Sequence, residues 1–272
     1  MSKTIDKLPE SQNLLWRLGF LLLLGIAGGI PYILTSSTLA IWLKESGFSL
    51  SFVGFFSVLH LPYAFKFFLA PFFDRPCFLK KWPSSLGWIL FLQIMMGLSL
   101  LAVVLIFYDS VYGMFAGAFS LVFFAACLDL IAEALQREWV GRHYIGLGEA
   151  SLVTGFRVGM IMAGAGALWL SHNHYAWLDI YRILTAIFFL NLLFVYILMH
   201  LKGNEMERTI PIRRPANHIF QLSQWTTPLK VLFADTRWKI MLSLMICYRL
   251  QAHILRNMPS LFLLNMGYEK AD

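Results

Sequence analysis

Residues 61–75 read L-P-Y-A-F-K-F-F-L-A-P-F-F-D-R, from Leu61 to Arg75, and P-C-F-L-K-K follows as far as Lys81. The stretch sets one lysine, Lys66, among about a dozen apolar neighbours and then closes on Asp74, Arg75, Lys80 and Lys81. An ammonium inside a membrane-length apolar run costs a few kcal/mol unless it faces a protein interior or a water-filled cavity, which makes Lys66 a candidate pathway residue. The competing reading is a lysine whose stem snorkels to the interface. The charged end at Asp74 lies about eight residues on, or ~12 Å of helix, which is far for such a side chain.

Outward from this stretch the whole chain is apolar. Its 272 residues are 58% hydrophobic and 14% charged, with 24 Phe and a mean hydropathy of +0.66. That is too greasy and too poor in charge for an ordinary soluble domain, and it places the chain among all-α polytopic membrane proteins. The net charge of +7 does not point to nucleic acid, because the basic residues stand between apolar runs instead of forming a stripe with interleaved aromatics. Cys77, Cys127 and Cys247 are odd in number and scattered, so neither a disulfide framework nor a paired-cysteine metal site is expected. No phosphate-cradling glycine loop or nucleophile elbow is visible, which leaves enzymatic catalysis without support.

Seven segments are long enough to cross a bilayer: 14–43, 51–73, 86–107, 111–135, 150–170, 178–201 and 240–266. The first is too long for a signal-peptide core and lacks a small-residue cleavage site. Lysines and arginines crowd alternate connections, with Arg75, Lys80 and Lys81 in one, Arg137 and Arg142 in the next, and a basic run from Lys202 to Lys239 in the third. The opposite set holds only Lys44, with Lys270 at the very end. The positive-inside rule then predicts a cytoplasmic amino terminus and an outer carboxyl terminus. The chain divides into a six-helix bundle at 1–201, a basic cytoplasmic loop at 202–239 and a seventh helix at 240–272. Within the loop, Ile219 to Phe233 has the apolar spacing of a helix lying on the membrane surface, with a plain tether as the alternative.

Three helices carry chemistry besides the second. In the first, G-I-A-G-G-I-P-Y at Gly25 to Tyr32 combines Gly29 with Pro31, a pattern for bending and close packing. In the fourth, Asp129 and Glu133 are four apart and Gln136 three beyond, on one helical face. Two carboxylates one turn apart in a low-dielectric setting cannot both ionise cheaply, so one is a candidate proton carrier. In the fifth, Gly155, Gly159, Ala163 and Ala167 form a small-residue ridge, and Arg157 stands off it. An arginine there is expected to face the cavity or to pair with Asp129 or Glu133. Its guanidinium suits a carboxylate of an anionic substrate, and a purely structural ion pair is the alternative. Histidine as a residue type titrates near neutral pH, which makes His60 a candidate, although a lone histidine in an aromatic helix is more often a packed one. His172 and His174 have no third partner for a metal.

The second-helix stretch, with Pro62, Lys66, Pro71, Asp74 and Arg75, resembles the pattern P-Y-x-x-K-F-x-x-A-P-x-x-D-R of the AmpG family of muropeptide permeases, within the major facilitator superfamily. Asp74 to Lys81 is similar to that superfamily's loop between its second and third helices. The first helix is similar to the family's as well, at Gly29, Pro31, Leu34, Thr38, Leu39, Trp42 and Leu43. In the fourth, Asp129, Ala134 and Glu138 match, Glu133 is a conservative change, and Gln136 replaces an arginine, with Arg137 one position along. In the fifth, Gly155, Arg157 and Gly159 match, with Phe156 for tyrosine. The seventh segment resembles the opening helix of the family's second half, with Arg249 kept and Ala252 where an acid is the rule.

The resemblance implies proton-coupled import of anhydromuropeptides, fragments of linked aminosugar and short peptide, across the bacterial inner membrane for cell-wall recycling. It implies no cofactor, the proton gradient being the energy source. Lys66, Asp129, Glu133 and Arg157 would handle substrate and protons, and Asp74, Arg75, Lys80 and Lys81 would serve a cytoplasmic gate. Gly29, Pro31, Pro62, Pro71, Gly155 and Gly159 would kink or pack the helices. The chain ends shortly after a seventh span, so a truncated or split transporter is expected, with lipid, the muropeptide and a separately encoded second half or second copy as partners and nucleic acid excluded. A transport-inactive remnant, a non-transporting membrane interaction protein and an acyl-CoA carrier of related pattern are the other readings.

Overall fold

The computed structural model describes residues 11–73, 84–106 and 110–209, together with 238–240, 242–244 and 247. A chain this apolar has to satisfy its backbone within each segment, and the described residues are helices joined by short turns, with no strand among them. The protein is an all-α polytopic membrane protein. Its helices in order are α1 (Ser11–Ile33), a π-helical turn (Leu34–Thr38), α2 (Leu39–Glu45), α3 (Leu50–Phe55), a 3-10 turn (Phe56–His60), α4 (Leu61–Phe65), a second 3-10 turn (Lys66–Leu69) and α5 (Ala70–Phe73). Then come α6 (Ser84–Leu105), α7 (Val111–Trp139), a third 3-10 turn (Arg142–Tyr144), α8 (Ile145–Ala163), α9 (Ala165–His172) and α10 (Trp177–Thr209).

Five rods are long and apolar enough to cross a membrane: Leu14–Glu45, Ser85–Leu105, Val111–Trp139, Ile145–His172 and Trp177–Gly203. They correspond to the first, third, fourth, fifth and sixth expected spans. The fourth runs on to Trp139, the fifth starts at Ile145 instead of Ala150, and the sixth continues past Leu201 to Thr209. The expected loop boundary at Leu201 therefore falls inside a helix.

The second expected span, 51–73, is where the continuous-helix reading fails. It is a succession of short α and 3-10 pieces, and each 3-10 turn stands just ahead of a proline, Pro62 or Pro71. Proline has no N–H to offer the carbonyl four residues back, and its ring crowds that carbonyl. The Val58 carbonyl, which Pro62 cannot serve, takes the Leu61 N–H instead, at the tighter spacing.

The first span is the post around which the bundle closes. Phe20, Leu21, Ala27, Ile30 and Leu34 on it are fully buried. Gly25 and Gly29 on it and Gly155 and Gly159 of α8 each lie directly against the backbone of the facing helix. A methyl group on Gly25 would strike the Leu152 carbonyl, one on Gly29 the Phe156 carbonyl and one on Gly155 the Leu22 carbonyl. Polar side chains add cross-links to the same post, as in other membrane bundles. Ser151 donates to the Leu18 carbonyl at 2.6 Å, Asn191 to Leu23 at 3.3 Å, Tyr181 to Leu34 at 2.9 Å, and Thr38 donates to the Ala163 carbonyl at 3.1 Å. At the amino-terminal end Arg17 donates to the Trp139 carbonyl at 2.8 Å.

The chain separates into two compact units, 1–216 and 217–272. In the second, Ile240, Leu242 and Leu244 are exposed, and the Lys239 ammonium lies 5.8 Å from the Trp238 ring. Ile219 to Phe233, most of the seventh span with Arg249 and Ala252, and the loop residues Asp74, Arg75, Lys80 and Lys81 lie outside the described residues.

Candidate functional site: a lysine between two carboxylates

Lys66 opens the second 3-10 turn of the broken span and points at α7. Its ammonium donates to Asp129 Oδ2 at 2.5 Å and to Glu133 Oε1 at 2.9 Å, so one cation bridges both carboxylates. The two acids are one helical turn apart on α7, which is the spacing at which side chains share a face. The three side chains are 25%, 26% and 33% exposed, so the cluster is shielded but still reachable from outside the packed core. With both acids ionised the triad carries one uncompensated negative charge. Arg137 sits at the rim, 67% exposed and 4.0 Å from Glu133, too far to neutralise that excess firmly.

A recess of about 180 Å³ opens beside Glu133, lined also by Ala70, Phe73, Leu130, Ile131, Ala134 and Arg137. That is room for several waters at ~30 Å³ each. Toward the start of the second span stands a group of aromatic rings. Tyr32 of α1 has its centroid 5.3 Å from His60, 5.7 Å from Tyr63 and 5.5 Å from Phe156 of α8.

Of the expected site residues, Lys66, Asp129 and Glu133 come together. Arg157 does not pair with Asp129 or Glu133 as expected. It is exposed on α8 and makes no ion pair among the described residues, while Lys66 occupies both acids. The helix geometry accounts for this: Gly155 and Gly159 are turned to the first span, and a residue midway between them, about 200° from each, points away from it. Gln136 also leaves the site. It is buried, and its amide donates to the Ile145 carbonyl at 2.7 Å, tying the end of α7 to the start of α8. Gly29, Gly155 and Gly159 form the helix seam described above, Pro31 precedes the π-helical turn, Pro62 is buried and Pro71 lies in α5. Tyr32 and Tyr63 went unremarked as site residues in the sequence, where one tyrosine among many aromatics carries no signal. For His60 the sequence offers titration near neutral pH, with a packed residue as the more common outcome.

Over almost its whole length the chain is similar to named transporters. It is 30% identical over 255 residues, 93% of its length, to the AmpG 2 protein of Rickettsia felis. With the AmpG 2 protein of Rickettsia bellii it shares 28% identity over 277 residues, all of this chain. The anhydromuropeptide permease of Escherichia coli K12 is 29% identical over 260 residues, 94% of this chain. The chain is AmpG-like. It spans 60%, 64% and 50%, respectively, of the length of these three relatives. No family model matches the chain.

Proposed function

We propose that this chain forms the proton-handling part of a carrier that moves anhydromuropeptides across the bacterial inner membrane, driven by the proton gradient. The observation that carries the reading is the triad: two carboxylates share one ammonium within a membrane-spanning bundle. One added proton brings the cluster to neutrality, and removing it restores a negative charge that low-dielectric surroundings disfavour. A group that gains and loses one proton at low cost is what coupling to a proton gradient needs. The recess beside Glu133 offers that proton a wet route. Arg157, a cation with no ion partner among the described residues, suits the carboxylates of a muropeptide's peptide stem. The names of the similar proteins point the same way, to carriage and not to catalysis. The basic loops favour a cytoplasmic amino terminus by the positive-inside rule, and a reporter fused after Lys202 is expected to register cytoplasm.

The test is a hybrid in which this chain replaces the segment it matches in the Escherichia coli permease, expressed in cells lacking their own. Labelled anhydromuropeptide should be taken up saturably, an uncoupler should abolish uptake, and Lys66→Leu should reduce it by about tenfold or more, a change of ~1.4 kcal/mol in the limiting step. Uptake indifferent to both the uncoupler and the substitution would overturn the proposal.

A further inference from the structure

Two polar atoms beside the triad are buried without a hydrogen-bond partner among the described residues: His60 Nε2 and the Tyr63 hydroxyl. Such atoms are expensive in any protein, and more so in a bundle surrounded by lipid, so a ligand that pairs them gains specifically. They are not scattered. His60, Tyr63 and Lys66 stand three residues apart along the second span, with α4 (Leu61–Phe65) running between His60 and Lys66, and residues three apart on an α-helix are surface neighbours. Each of the three side chains therefore neighbours the next, and the last is the lysine of the triad.

Aromatic faces flank these side chains. The His60 and Tyr63 rings lie nearly parallel, 18° between planes with centroids 6.3 Å apart. Tyr32 meets both edge-on, and its other neighbour is Phe156. Three separate spans thus bring rings to one place, next to two uncharged polar edges. Neutral hydrogen-bonding groups set against aromatic surface match a ring that is apolar on its C–H face and polar at its rim.

We infer that His60 and Tyr63 recognise the N-acetylated aminosugar of the substrate. The Tyr63 hydroxyl donates to an acetamido or ring oxygen, His60 Nε2 pairs with a sugar hydroxyl, and the C–H face of the sugar lies against Tyr32 and Phe156. This inference rests on the muropeptide reading above and divides that substrate between two places: the uncharged sugar at the aromatic group, and the anionic peptide toward Arg157. The triad is then left free for the proton.

The experiment uses the full chain, purified into lipid nanodiscs, with two probes: the aminosugar disaccharide without peptide, and the stem peptide without sugar. The unaltered chain should bind the disaccharide. Tyr63→Phe, which removes one oxygen and leaves the ring, and His60→Ala should each weaken that binding by about tenfold, the loss expected when a buried polar partner is left unpaired. Both should leave stem-peptide binding unchanged, while Arg157→Ala should weaken only the peptide. If His60→Ala fails to fold, Tyr63→Phe decides alone. Disaccharide binding that is absent in the unaltered chain, or equal in Tyr63→Phe and the unaltered chain, overturns the inference. If the variants keep disaccharide binding and lose only proton-driven uptake in the hybrid, the group serves proton movement and the inference also falls. Intact disaccharide binding by the chain together with a hybrid that transports nothing would count against the transport reading alone.

Discussion

The first and second spans both carry proline inside an apolar run, and they respond in opposite ways. The first remains one rod from Leu14 to Glu45, with a single π-helical turn after Pro31. Carbonyls around its bend gain side-chain donors: Thr35 Oγ1 donates to the Pro31 carbonyl at 2.8 Å, and the Leu34 carbonyl takes both the Leu39 N–H and, at 2.9 Å, the Tyr181 hydroxyl of α10. The second span breaks into short α and 3-10 pieces. It lies at the side of the bundle, with Phe55, Phe65, Phe68 and Phe72 each more than half exposed. A membrane segment that carries proline therefore stays one rod where neighbouring helices add donors to its backbone, and breaks into shorter α and 3-10 pieces where they do not. The catalogue of side chains follows the same division. The continuous span holds the packing residues, and the broken one holds Lys66.

The largest effect should come from damaging the seam that holds the continuous span. A side chain at Gly155 has to enter space held by the Leu22 backbone, which cannot rotate away as a side chain would. Gly155→Val should cost well over ~3 kcal/mol, the upper range of ordinary overpacking, and abolish folded protein in detergent. A monodisperse, cooperatively melting variant would mean that the seam is not what fixes the bundle.

An intermediate effect is expected where the broken span meets α7. Lys66→Leu leaves Asp129 and Glu133 facing one another without their cation, a loss of about 2 kcal/mol once the partial exposure of the triad is discounted from the ~3–5 kcal/mol of a fully buried pair. Adding Asp129→Asn should recover roughly half, because one of the two like charges is then gone. Additive losses in that double-mutant cycle would show that the three groups do not act as a unit.

The smallest effect tests how the rod is braced. Tyr181→Phe removes the hydroxyl that serves the Leu34 carbonyl and should cost about 0.6–1 kcal/mol, the usual worth of one hydrogen bond between membrane helices. Thermal unfolding in detergent would register it as a modest shift. No shift would mean that the π-helical turn holds itself.

The sequence made five of these rods visible through length and hydropathy, because lipid imposes one solution on every long apolar segment. Lys66 stood out as an ammonium in the wrong solvent, and the Asp129–Glu133 pair through its four-residue spacing. What joined them was not legible: 63 residues separate Lys66 from Asp129, and Arg157 was an equally plausible cation on charge alone. The choice was made by rotation about α8, where the glycine seam fixes which way Arg157 points. The breaks in the second span were hidden for a different reason. Two prolines announced a disturbance, but whether the helix bends or changes its hydrogen-bond spacing depends on neighbours that sequence does not reveal. The aromatic group was invisible because its rings come from three spans.

The most direct test of the central claim, that Asp129 and Glu133 carry the coupling proton between them, is transport by the hybrid permease reconstituted in liposomes. With both acids neutralised, as Asp129→Asn and Glu133→Gln together, labelled anhydromuropeptide should still exchange down its own gradient. It should no longer accumulate against that gradient when a proton gradient is imposed. Accumulation at the level of the unaltered hybrid would contradict the account, since the proton would then travel by another route.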